Sequence, residues 1–163
     1  MMIRGVSGWV LLAVTVAAAL GSAAVGRPAA PESGPGEVSS ADSLVGVFEG
    51  RTPCGALFVE FAGYQGPSCE KMKWWLALHR NPQDGSPTTY EFDGTRVTRR
   101  GTWTITRGTA TQPDAIVYRL ATELPQQWIA FQRVDDNVLL FLDQDLRVMV
   151  GDASWGYVLS RTR

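Results

Sequence analysis

The sequence is poor in the residues that carry most catalytic and metal chemistry. It holds one histidine and two cysteines in 163 residues, fewer nitrogen and sulfur ligands than the four of a usual zinc site. It has no glycine-rich phosphate loop, no Gly-x-Ser-x-Gly elbow and no His-Glu-x-x-His pair, so the signatures of nucleotide-binding proteins, serine hydrolases and zinc proteases are missing. Neither sign of charge dominates. Fifteen Lys and Arg against 16 Asp and Glu leave a formal charge of −1, which gives no basic field to hold nucleic acid or anionic lipid. Apolar residues are not scarce: at 45% hydrophobic the chain is too apolar to be disordered throughout, and its length suits one domain rather than two. These absences predict a non-enzymatic protein with no cofactor and no metal.

The first 24 residues differ in kind from the rest. Met1-Met2-Ile3-Arg4 supplies one positive charge, and Gly5 to Leu20 then runs without charge, dense in Val, Leu and Ala. Gly21-Ser22-Ala23-Ala24 follows. A basic start, an apolar run and small residues form the order of a secretory signal, with cleavage expected after Ala24. The apolar run falls short of the roughly 20 residues that span a bilayer, so no membrane span is expected after cleavage. No cysteine precedes Cys54, and hence no lipid anchor is expected. Residues 25–41 combine prolines, glycines and few large apolar groups, the composition of a flexible linker. The folded domain is expected over 42–163, in the periplasm or secreted.

Within that domain the dominant period is two, the mark of half-buried strands. In 71–80, Met72, Trp74, Leu76 and Leu78 fall on one face, with Lys71, Lys73 and His79 on the other. Residues 102–106 repeat the pattern, with Trp103 and Ile105 against threonines. Further strands are expected at 44–49, 89–92, 96–99, 116–120, 128–134, 138–142, 148–150 and 156–160. Turn chemistry punctuates them: Asn81-Pro82-Gln83-Asp84-Gly85, Asp93-Gly94, Asp135-Asp136-Asn137, Asp143-Gln144-Asp145 and Gly151-Asp152. Parallel strands would need helical crossovers, for which the chain has no room. The expected fold is all-β: a small antiparallel up-and-down (lipocalin-like) barrel with one short helical segment at Gly55 to Tyr64. Bulky inward residues (Trp74, Leu76, Leu78, Trp103, Ile105) favour a filled interior over an open one.

Gly46-Val47-Phe48-Glu49-Gly50-Arg51-Thr52-Pro53-Cys54 resembles the opening Gly-x-aromatic-x-Gly-x-x-Pro-Cys of the NlpE N-terminal domain family. Gly101-Thr102-Trp103, Ile116 to Leu120, Leu139 to Asp143 and Tyr157-Val158-Leu159 follow in that family's order. The resemblance implies a small exported β-barrel of the bacterial envelope, linked to copper resistance and envelope-stress signalling. Two departures stand out. The family's Cys-x-x-Cys is absent, with the second cysteine downstream at Cys69, and so is the lipid-anchoring cysteine.

Cys54 and Cys69 are expected to bond to each other, since an even pair in an oxidising compartment usually does. The competing reading is a copper-handling or thiol-redox pair, with Met72 and His79 as further ligands. Strand parity sets those two on opposite faces, making Met72 core and His79 a solvated strand-end residue. The Asp135-Asp136 and Asp143-x-Asp145 pairs fall where hairpins turn and lack the ladder of a calcium loop. Trp75, on the opposite face from Trp74, is a candidate partner contact, and Trp103 and Tyr118 join it as candidate contact residues. The expected role is a binding or sensing module that meets an envelope protein. The alternative is a carrier of a small apolar ligand in the barrel lumen.

Overall fold

Alternation turns every second side chain of each strand toward a common interior, and eight such strands suffice to close around it. The computed structural model describes residues 42–55, 69–94, 98–123 and 128–163. The strands are β1 (Ser43–Thr52), β2 (Met72–Arg80), β3 (Pro87–Asp93), β4 (Thr98–Arg107), β5 (Ile116–Ala121), β6 (Trp128–Arg133), β7 (Val138–Leu142) and β8 (Val158–Arg161). They form a closed antiparallel barrel in chain order, with β8 returning to β1. The all-β barrel expected from the two-residue period is therefore present. The helical expectation at Gly55 to Tyr64 falls largely on residues 56–68, outside the described residues, as do the expected signal and linker. Among the described residues no helix is long and apolar enough to cross a membrane.

Three local expectations are corrected. The separate strands at 96–99 and 102–106 give way to the continuous β4, which Gly101 does not interrupt. The strand at 148–150 reduces to a single bridge, Leu142 to Val148, because the tight turn at 143–147 brings the chain back beside β7 for one pair. Ile105, expected inside, is 49% exposed. The ladder between β3 and β4 ends at Thr89 and Thr102, so the second half of β4 is flanked by β5 alone.

The interior is filled by rings. Trp74 lies 5.0 Å from Phe92 and 6.1 Å from Phe141, between centroids. Phe131 lies 6.4 Å from Phe92 and 4.6 Å from Phe141. These four side chains come from β2, β3, β6 and β7, two pairs of strands on opposite sides of the barrel, and their rings meet across it. Met72, Leu76, Leu78, Leu120, Leu139 and Leu159 pack around them, fully buried. The indole of Trp74 donates to Thr52 Oγ1 at 2.9 Å, so the buried threonine of β1 and the buried indole satisfy each other.

A second, smaller cluster lies on the outer wall. Val117, Ala130 and Leu142 face away from the interior yet are buried, with Trp128 and Leu146 packed against them. Two loops fold back over this wall and meet: Ala110 N donates to the Leu146 carbonyl at 2.9 Å. Gln132, also buried, donates through Nε2 to Gln112 Oε1 at 2.9 Å.

Candidate functional site

Antiparallel order places both chain ends of the domain, Ser43 and Arg161, at one mouth of the barrel. The opposite mouth receives the end of β1 and the start of β2, and there the cysteines sit. Cys54 and Cys69 are joined as a disulfide, with Cα atoms 5.9 Å apart, and both pack partly buried against the interior cluster. Lys71 stands 5.0 Å over the Trp155 ring at the same mouth. A disulfide-bonded pair has no thiolate to offer a metal. Met72 is fully buried among the interior rings. Among the described residues no group of three or more His, Cys, Asp or Glu converges on a metal-sized site.

The three candidate contact residues do not share a surface. Trp103 and Tyr118 lie inside, 3% and 7% exposed, packed edge to face at 4.9 Å. Trp103 Nε1–H donates to the His79 carbonyl at 2.7 Å, tying β4 to β2 across the first residues of β3. Trp75 lies on the outer wall, half-buried, directly between Glu49 of β1 and Asp93 of β3 in the ladder. His79, expected in solvent, is half-buried, and its Nδ1 is enclosed without a hydrogen-bond partner. The β2–β3 register is irregular between Leu78 and Arg80, the residues on either side of it.

Cavities at the periphery, among the described residues, include two at opposite mouths of the barrel. One of about 250 Å³ opens at the disulfide mouth, lined by Tyr90, Thr98, Arg99, Arg100 and Glu123. Arg100 Nε donates to Glu91 at 2.9 Å, and Thr98 donates to Asp93. Tyr90 leans over Gly101, where a Cβ would come within 2.9 Å of its ring, and its hydroxyl donates to the Ala121 carbonyl at 2.6 Å. Burial pushes the Tyr90 phenol up to about 12, with Arg99 opposing the shift and Glu123 adding to it. The second cavity is a shallow groove of about 800 Å³ beneath the 111–115 loop, bordered by Ile116, Gln132, Arg133 and Val134.

The outer wall of β4–β6 holds an arrangement that residue spacing alone did not reveal. Arg119 of β5 lies between Thr104 of β4 and Ala130 of β6 in the ladders, and its guanidinium carbon stands 4.5 Å over the Trp128 ring. Arg119 and Trp128 stand nine positions apart, which gives no signal until the β5–β6 register is known. No protein-family model matches the chain, and neither a curated protein nor a solved structure matches it either.

Proposed function

We propose that this chain is an exported bacterial envelope protein of the NlpE-like kind, a non-enzymatic binding or sensing module that works through its outer surface. The observation that carries the surface reading is the ring contact of Trp74, Phe92, Phe131 and Phe141 across the barrel. A lumenal carrier needs an enclosed space lined by apolar groups, and here those groups touch one another instead. The disulfide supports export, since such bonds persist in oxidising compartments. It also supports a structural rather than a copper-handling or redox role for Cys54 and Cys69.

The test has two arms. When the full chain is produced in a bacterium, the envelope fraction is expected to yield a product shortened by the signal and resistant to alkylation until reduced under denaturing conditions. A cytoplasmic, full-length, thiol-reactive product overturns the export reading. Tryptophan fluorescence of that product is expected to stay unchanged on titration with fatty-acid or retinoid-like ligands. Saturable quenching by any of them overturns the surface reading in favour of the carrier.

A further inference from the structure

β4 runs past its neighbour. The β3–β4 ladder ends at Thr89 and Thr102, while β4 continues to Arg107. β3 starts instead alongside β2, with Arg80 opposite Pro87 and Asn81 N donating to the Ser86 carbonyl at 2.9 Å. In an antiparallel ladder every second residue directs its N–H and C=O to the same neighbouring strand. Gly108 N donates to the Ala115 carbonyl at 2.9 Å, the pair that follows Arg107 and Ile116 in the β4–β5 register. Counting back in twos, Thr106 and Thr104 also bond toward β5. Ile105 and Arg107 therefore turn their backbone groups to the other side, where no described residue pairs with them.

This edge is accessible. Ile105 is 49% exposed, and Thr104 and Arg107 are exposed as well. Sheet edges are usually blocked by proline, a bulge or a charge. Thr104-Ile105-Thr106 has no proline and no charge, and its ladder with β5 is regular. An added strand satisfies such open groups and sets its own alternate residues on one face. Two of those residues fall beside Ile105 and Arg107. The first place suits an apolar side chain. The second suits a carboxylate, because Arg107 has no ion pair among the described residues. A second copy joined at the same edge brings another Arg107 and no carboxylate. A stretch of three residues, about 10 Å, is also too short to bury the roughly 800 Å² per partner of a stable dimer.

We propose that the open edge of β4 takes up an extended segment of a partner protein by strand addition, with an apolar residue beside Ile105 and an acidic one beside Arg107. The proposal rests on the surface-binding reading above and names the chemistry of its partner. The test titrates the ¹⁵N-labelled chain, as the cell processes it, with the capped peptide Glu-Thr-Val-Thr-Val. Added antiparallel, it sets its glutamate beside Arg107 and its central valine beside Ile105. Saturable shifts centred on the Ile105 and Arg107 amides are expected, with hydrogen exchange at both slowed about tenfold at saturation. The same peptide methylated on the amide nitrogen of the central valine has no N–H for the Ile105 carbonyl and is expected to bind about tenfold more weakly. Arg107→Gln, an exposed change, is expected to weaken binding of the unmodified peptide about threefold. Shifts that do not saturate, shifts centred away from β4, or equal binding of the methylated peptide overturn the proposal. So does protection of both amides in the free monomer. Protection that grows with protein concentration alone, with a dimer in sedimentation, gives the edge to a second copy and overturns the assignment to a partner. A flat peptide titration also overturns the proposal but leaves the filled interior untouched, because that reading stands or falls on the apolar-ligand titration.

Discussion

Tyr90 reaches over a neighbouring strand to find its acceptor, and the residue that permits this is a glycine. The phenol of β3 lies across Gly101 of β4 and bonds to the Ala121 carbonyl of β5. Tyr90→Phe keeps the ring and leaves that carbonyl without its donor, so a loss of about 1–2 kcal/mol is expected in denaturant unfolding. The pH dependence follows from the raised phenol. A folded value of about 12 against an ordinary 10.0 means that folding favours the neutral form. Its contribution is complete below pH 10 and lost as pH rises toward 12. Burial raises Tyr118 and Tyr157 as well, so ultraviolet titration is expected to show several tyrosines ionising late, and Tyr90→Phe to remove the component near pH 12. Leu146 makes a different point. It has φ of 60°, a left-handed conformation that a leucine adopts at a cost, while its side chain packs on the outer cluster. Asp143 Oδ1 accepts from Asp145 N and Arg147 N, which locks the turn around it. Leu146→Ala loses the packing and keeps the strain; Leu146→Gly loses the packing and relieves it. The glycine variant is therefore expected to be the more stable of the two by about 1 kcal/mol, read from melting temperatures, inverting the usual order of these residues.

Closure between β8 and β1 has the shortest ladder among the described strands. The ladder there has two pairs, Phe48 with Arg161 and Glu49 with Ser160, extended by Thr162 N donating to the Val47 carbonyl at 2.8 Å and Val47 N donating to that of Arg163 at 2.9 Å. Gly50 lets the strands come together: a Cβ there would sit 2.3 Å from the Val158 carbonyl oxygen, a backbone atom that no rotamer change can move. Gly50→Ala is expected to force the seam apart and cost about 1–3 kcal/mol or more. Hydrogen exchange in that variant is expected to rise first at the amides of β8 and its partners on β1. Uniform acceleration around the barrel would contradict a local seam. The exposed half of β4 shows the same principle in reverse: Ile105 has the parity of an interior residue, but its strand has no neighbour on one side.

For the whole molecule, the ring cluster and the disulfide act on different parts of the barrel. Phe131 is fully buried and touches both Phe92 and Phe141, so Phe131→Ala is expected to cost about 3–5 kcal/mol and to open the space that the native rings occupy. The disulfide closes a loop with a sequence separation of 15, and Cys54→Ser is expected to cost about 3 kcal/mol on the chain-entropy view. Equal melting temperatures for Cys54→Ser and its parent in oxidising buffer would contradict that. The cavity opened by Phe131→Ala also provides a positive control for the ligand titration: apolar probes are expected to quench the variant and not the parent.

Much of this architecture was legible because a strand writes its two faces into alternate residues. Met72, Trp74, Leu76 and Leu78 announced an interior face by spacing alone, and the two cysteines announced their pairing by number. Turns were legible where Asp and Asn bond to their own backbone, as Asp135 does to Asn137 N and Asp84 to Ser86 N. Periodicity fixes which way a side chain faces; it does not fix what stands beside it. The exposure of Ile105, the enclosed Nδ1 of His79, and the meeting of Arg119 with Trp128 all depend on strand register and strand length. Those are settled when eight strands close on a common set of rings, because only closure decides which distant residues become neighbours.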